Sequence, residues 1–159
     1  MIQKAWLRQQ PGQSKIQKST TKMVIGFKQQ FVPYILSGIK IHTIRTDPHN
    51  RWRQGMKMHM ATGVRTRDYE QFNLEVVRSI QKVEIRHYPK GKKIVAIDED
   101  PIKTLVMLKQ LVHNDGFLTT SDFFAWFNCN YKGKILHWTP FQYQPNQVYQ
   151  QASLFNLQS

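Results

Sequence analysis

The sequence predicts a small α+β domain, a β-barrel with helices attached. Three observations predict it: strand-like runs recur at short intervals, helical patterns interrupt them at two points, and 159 residues suit one ordinary domain. An all-helical bundle and a doubly wound parallel sheet both fit this order poorly.

Residues 1–22 carry five Lys/Arg and no acid, with Pro-Gly and Ser-Thr-Thr clusters, and read as a basic, flexible arm ahead of the fold. The domain is expected over 23–143. Met23-Val24-Ile25-Gly26-Phe27 opens it as a first strand. Phe31, Tyr34, Ile35 and Leu36 then give a short amphipathic helix, with Pro33 tolerable in its first turn. Ser37-Gly38 ends that helix, since glycine suits a left-handed C-cap. Strands are expected at Ile41–Thr46, Met56–Thr62, Phe72–Ile80, Lys82–His87 and Lys93–Ile97, separated by breaks such as Asp-Pro-His-Asn and Tyr-Pro-Lys-Gly. Asp98-Glu99-Asp100-Pro101 looks like the acidic start of a helix running to about Asn114, with Leu105, Leu108, Leu111 and Val112 as its buried stripe. Asp115-Gly116-Phe117 breaks it. Ser121 is expected to cap a last helix whose Phe123, Phe124, Trp126 and Phe127 all pack. Lys134–Thr139 should be the closing strand, and 144–159 a Gln-rich tail.

Composition narrows the function classes. A 40% hydrophobic, 12% aromatic chain supports a real core and excludes wholesale disorder. No apolar run approaches the ~20 residues a spanning helix needs, and the N-terminus lacks a secretory apolar segment. The single cysteine, Cys129, forms no internal disulfide and suits a reducing cytoplasmic setting. No metal site and no cofactor are expected, because the histidines lack paired spacing. Lys plus Arg number 23 against 10 acids, a formal +13, which favours a polyanionic partner and RNA or a nucleotide first.

One stretch concentrates chemistry. Lys40-Ile41-His42-Thr43-Ile44-Arg45 sets an amine, an imidazole, a hydroxyl and a guanidinium between aliphatic residues. It belongs to Gly38-x-Lys40-x-x-Thr43-Ile44-Arg45, followed by Trp52-x-x-Gly55, Asp115-Gly116-Phe117 before an aromatic helix, and His137-Trp138-Thr139. These elements, in this order over about residues 23–143, resemble the ASCH domain of the PUA-like β-barrel superfamily. The resemblance implies a PUA-like barrel. It also implies one of three activities: RNA binding, RNA cleavage, or the amide hydrolysis by which small members deacylate N4-acetylcytidine. In the deacylating group the catalytic set is a lysine and a threonine of the motif and a more distant glutamate. By resemblance these fall on Lys40, Thr43 and, with aspartate for glutamate, Asp115. Glu75 and Glu84 are the next candidates for the acid.

Amide hydrolysis makes chemical sense of the set. Threonine is a poor nucleophile without a base in hydrogen-bond reach. Lysine is a base only when neutral, which needs burial or a nearby cation such as Arg45. In an ideal strand Lys40 and Thr43 face opposite ways, so the chemistry requires residues 38–43 to bend into the strand. Asp115 would hold Lys40 or protonate the leaving amine. The competing interpretation is a solvated lysine, an ordinary strand threonine and a phosphate-contacting arginine. His42 reads as a strand-surface histidine outside the set.

Substrate contacts are expected from Arg45, Trp52, Phe27 and Tyr34, the aromatics offering a flat wall for a nucleoside base. In the RNA-binding alternative, Arg51, Arg53, Arg65 and Arg67 form the basic face. Finally, Leu154 and Phe155 in Gln151-Ala152-Ser153-Leu154-Phe155 are expected to pack back on the domain; the alternative is a docking motif, since the segment resembles the short peptide by which bacterial replication and repair proteins dock on a sliding clamp.

Overall fold

The structure, a computed structural model, describes residues 23–145. The basic arm and the Gln-x-Ser-Leu-Phe segment lie outside the described residues.

Among the described residues eight strands and three α-helices follow in the order β1 (Met23–Gly26), α1 (Val32–Leu36), β2 (His42–Arg45), β3 (Lys57–Thr62), β4 (Glu70–Val76), β5 (Ser79–His87), β6 (Lys93–Ile97), β7 (Asp100–Pro101), α2 (Leu105–Asn114), α3 (Thr120–Trp126) and β8 (Tyr131–His137). The α+β class is as expected. The strands form two sheets, β1-β3-β4 and β2-β8-β5-β6-β7, and no closed barrel is formed among the described residues. β1 runs parallel to β3; every other pairing is antiparallel.

Two connections hold the sheets together. At Val77–Arg78 the chain steps from one sheet to the other: Val77 exchanges backbone bonds with Met56 and Gly55, and Arg78 N donates to His137 O. At the opposite side the Arg45 guanidinium donates to Gly26 O at 2.6 Å, joining the end of β2 to the end of β1. Met58, Met60, Ile85, Ile97, Leu111, Ile135 and Leu136 are fully buried in the core.

Several boundaries differ from the expected ones, each for an identifiable reason. The break expected at Gln81 falls at Val77–Arg78 instead. Gln81 stays inside β5, in register with inward Val83 and Ile85, because its amide is satisfied by the backbone of Tyr143 (2.8 and 2.9 Å) and by Asp98. Asp98-Glu99 does not start a helix. Both residues have positive φ (50° and 76°), and Ile97 pairs with Asp100, so they form the two-residue turn of a β6–β7 hairpin. The true N-cap of α2 is Thr104, whose hydroxyl accepts from Met107 N at 3.2 Å. Likewise Thr119, not Ser121, caps α3 by accepting from Asp122 N. With the later start, Leu105 turns outward at 60% exposure and Met107 takes its place in the buried stripe. Trp126, expected to pack fully, is 43% exposed.

Gly133, in β8, tests the sheet. A Cβ built there would stand 2.5 Å from Arg45 O, a backbone atom that cannot swing away. Gly133→Ala should therefore cost about 1–3 kcal/mol by overpacking, read as a fall of several degrees in melting temperature. An unchanged melting temperature would show that β2 and β8 yield freely.

Candidate active site

The site begins with a helix stop. Gly38 takes φ +76°, ending α1, and the backbone N–H groups of Ile39 and Lys40 both donate to Tyr34 O at 2.9 Å. Ile41 N then donates to Asn114 O at 3.0 Å, which ties the entry of β2 to the end of α2. That tie sets Lys40 beside Asp115. The bend the chemistry required is present, and Lys40 and Thr43 line one cavity although they lie three residues apart.

Lys40 is buried at 2% exposure and Asp115 at 3%. The Lys40 ammonium donates to Asp115 Oδ1 at 2.7 Å and to Asp115 O at 2.5 Å, and sits 5.0 Å from the Phe31 ring centre. Gly116 makes room for it: at φ +86°, its missing Cβ would lie 3.0 Å from Lys40 Cδ. On β2, Thr43 and Arg45 share a face, and Arg45 Nε donates to Thr43 Oγ1 at 3.2 Å. The Arg45 guanidinium lies 4.9 Å from the Phe27 ring centre. The enclosed space is about 40 Å³, walled by Phe27, Phe31, Phe117, Trp126 and Phe127.

Burial dominates the electrostatics. It pushes the Lys40 amine below its ordinary value, opposed by Asp115 and reinforced by Arg45. Burial would raise Asp115, but the Lys40 charge and the His42 contact together outweigh it and hold the carboxyl below its usual range. Desolvation also lowers Arg45 and His42. Two cations and one carboxylate thus face a small cavity containing a hydroxyl.

Of the expected site residues, Lys40, Thr43, Asp115, Arg45 and Phe27 converge on this cavity. Trp52 and Tyr34 do not line it. Trp52 is a core residue at 7% exposure, its backbone N–H donating to buried Asp47, and Tyr34 contributes only its backbone carbonyl to the turn. Glu84 lies on β5, paired with Arg86 and Lys132, and neither it nor Glu75 reaches the cavity. Arg51, Arg53, Arg65 and Arg67 are all exposed.

His42 is the main surprise. Expected on a surface, it is wholly buried, because β2 is covered on both faces. Its Nε2 lies 2.6 Å from Tyr143 Oη and its Nδ1 3.5 Å from Asp115 Oδ1. Asn114 Nδ2 donates to the same phenol at 3.0 Å. The alternating hydrophilic pattern of Lys40–Arg45 could have flagged His42; nothing local marked Tyr143, which lies beyond the last strand. Comparison of the chain with protein-family models, with curated proteins and with solved structures finds no match.

The buried histidines make stability pH-dependent. His137, cross-strand partner of His42 on β8, is pushed from an ordinary 6.5 to about 3, by burial first and by His42 second. Between those values the unfolded chain binds a proton that the fold refuses, so stability is lost as pH falls below about 6.5. Urea unfolding from pH 7 to pH 4 should show that loss, and His137→Leu should flatten it. An identical slope in the variant would clear His137 of the effect.

Proposed function

We propose that this protein is an ASCH-like amidohydrolase, built on a PUA-like arrangement of its sheets, that removes the acyl group from N4-acylated cytosine nucleosides. One observation carries the reading: Lys40, Thr43 and Asp115, from two distant parts of the chain, meet at a single aromatic-walled cavity. A solvated lysine and an ordinary strand threonine would not be 2% and 3% exposed.

In this reading Thr43 Oγ1 attacks the acyl carbon and its proton passes to Lys40 Nζ, whose lowered proton affinity makes it a base. Arg45 Nε–H occupies one lone pair of the threonine oxygen, fixing its orientation and favouring negative charge there. As the C–N bond breaks, Lys40 returns the proton to the exocyclic amine of cytosine. Water, again deprotonated by Lys40, cleaves the threonine ester, releasing the carboxylic acid and restoring Thr43. Asp115 holds the lysine throughout. The cavity of about 40 Å³ is near the ~30 Å³ share of one water, so it accepts a short acyl end and leaves the base at the mouth, against exposed Trp126.

Thr43→Val keeps the volume and removes the nucleophile, so deacylation of N4-acetylcytidine should fall ~10²–10⁴-fold or more with the fold intact. Lys40→Ala should lose activity as well, and about 3–5 kcal/mol of stability, because it strands a buried carboxylate. Full activity in folded Thr43→Val protein would remove threonine as the nucleophile.

A second reading, an RNA-binding module or ribonuclease, is favoured by the +13 charge and by four outward arginines, Arg51, Arg53, Arg65 and Arg67. If all four contact phosphates, log affinity for a single-stranded oligoribonucleotide should fall with log salt at a slope of roughly −3. Weak binding at physiological salt beside measurable deacylation would reduce the RNA reading to a charge effect.

A further inference from the structure

Behind the cavity, on the side away from Thr43, a chain of buried polar groups runs from Asp115 to His42, Tyr143 and Asn114. Its cost is plain: His42 has no exposed surface, and a buried polar group is destabilising unless partnered. Proton placement along the chain follows from Asp115. His42 Nδ1 is 3.5 Å from the carboxylate Oδ1, near enough for electrostatic attraction though without a well-formed hydrogen bond. A bare Nδ1 there would set one lone pair against another. Nδ1 therefore carries the proton. In a neutral ring Nε2 is then an acceptor, and the phenol at 2.6 Å donates to it. Asn114, adjacent to Asp115 on the same turn, donates in turn to the phenol oxygen.

We propose that His42, held in its Nδ1–H form by Asp115 on one side and Tyr143 on the other, is a positioning residue that shares the Asp115 carboxylate with Lys40 and so keeps Lys40 from being held as an ammonium. The inference deepens the amidohydrolase reading and rests on it for its catalytic meaning. A carboxylate committed wholly to Lys40 would stabilise the charged lysine. One that also receives the His42 N–H stabilises it less, and supplies a neutral partner for Asp115 when the lysine is uncharged. The other ionisable groups facing this region are Arg45 from β2, His137 and Tyr131 from β8, and Tyr143 itself. Arg45 depresses the Lys40 amine, and His137 is neutral around pH 7.

The test uses the full chain and Tyr143→Phe, which keeps the ring packed against His42, His137 and Phe141 and removes only the hydroxyl. Imidazole ¹⁵N spectra of the native protein should show His42 as the Nδ1–H tautomer across neutral pH. In Tyr143→Phe the Asp115 carboxylate alone is left to hold the tautomer, and the Nδ1–H population should fall. The titration midpoint of Lys40, followed through its labelled ε-carbon, should rise by ~0.5–1 unit, with the pH–rate limb of deacylation moving equally and KM little changed. A merely structural tyrosine would lower the melting temperature and leave that midpoint alone. An Nε2–H tautomer in the native protein, or an unmoved Lys40 midpoint in the folded variant, overturns the proposal. Neither nitrogen spectrum nor lysine titration needs turnover. A predicted tautomer and a shifted midpoint in a protein that never deacylates would support the coupling and reject the deacylase reading alone.

Discussion

The buried pair of Lys40 and Asp115 is the constraint around which the rest of the structure is arranged. Two ionised groups removed from water are tolerated only if they meet each other and if their remaining donors and acceptors are satisfied. Everything nearby serves that condition. Gly38 turns the chain so that Lys40 points inward, and the Ile41–Asn114 backbone bond fixes the height of β2 against the end of α2. Gly116 clears the space that the lysine stem occupies, and the Asp115 carbonyl takes a second proton of the ammonium. Removing any one of these leaves a charge in a low-dielectric interior with an incomplete partner.

The same pair explains why the two sheets need Arg45. Thr43 and Arg45 face the cavity from β2, a strand of only four residues at the edge of its sheet. Its pairing with β8 alone would leave the edge beside β1 loosely attached. The guanidinium bridges the gap with one N–H on Gly26 O while its Nε–H holds the Thr43 hydroxyl, so a tie between the sheets and a contact to the threonine come from one side chain. Stiffness at the junction of the sheets is thus transmitted directly to the threonine.

How much was legible in the sequence depended on how local each cause was. Gly38, Pro33 and the strand β6 follow from turn chemistry and period-two patterning, and they stand where those rules put them. Lys40, Thr43 and Asp115 were nameable because a spaced motif marks them. The misplacements have causes of both ranges, some in nearby residues and some far along the chain. Asp98-Glu99 satisfies every helix-start preference, yet the pairing of Ile97 with Asp100 claims it for a hairpin. Trp52, flanked by two arginines and expected to contact substrate, has its backbone captured by Asp47 and its indole in the core. His42 seemed a surface group because one strand cannot reveal that both its faces are covered. Tyr143, the anchor of that histidine, lies 101 residues away from it.

Charge balance within the cavity completes the physical picture. Lys40 and Arg45 set two potential cations against the single carboxylate of Asp115, while His42 and His137 are driven toward neutrality by burial. With Lys40 protonated, the site holds one uncompensated positive charge close to the Thr43 oxygen; with Lys40 neutral, Arg45 and Asp115 cancel. The interior therefore stabilises negative charge on oxygen just when the lysine has taken a proton, and loses that excess when the proton leaves. In the proposed reaction a neutral substrate enters the discharged site without bringing a counter-ion, and the oxyanion it becomes meets a positive charge created by the same proton transfer.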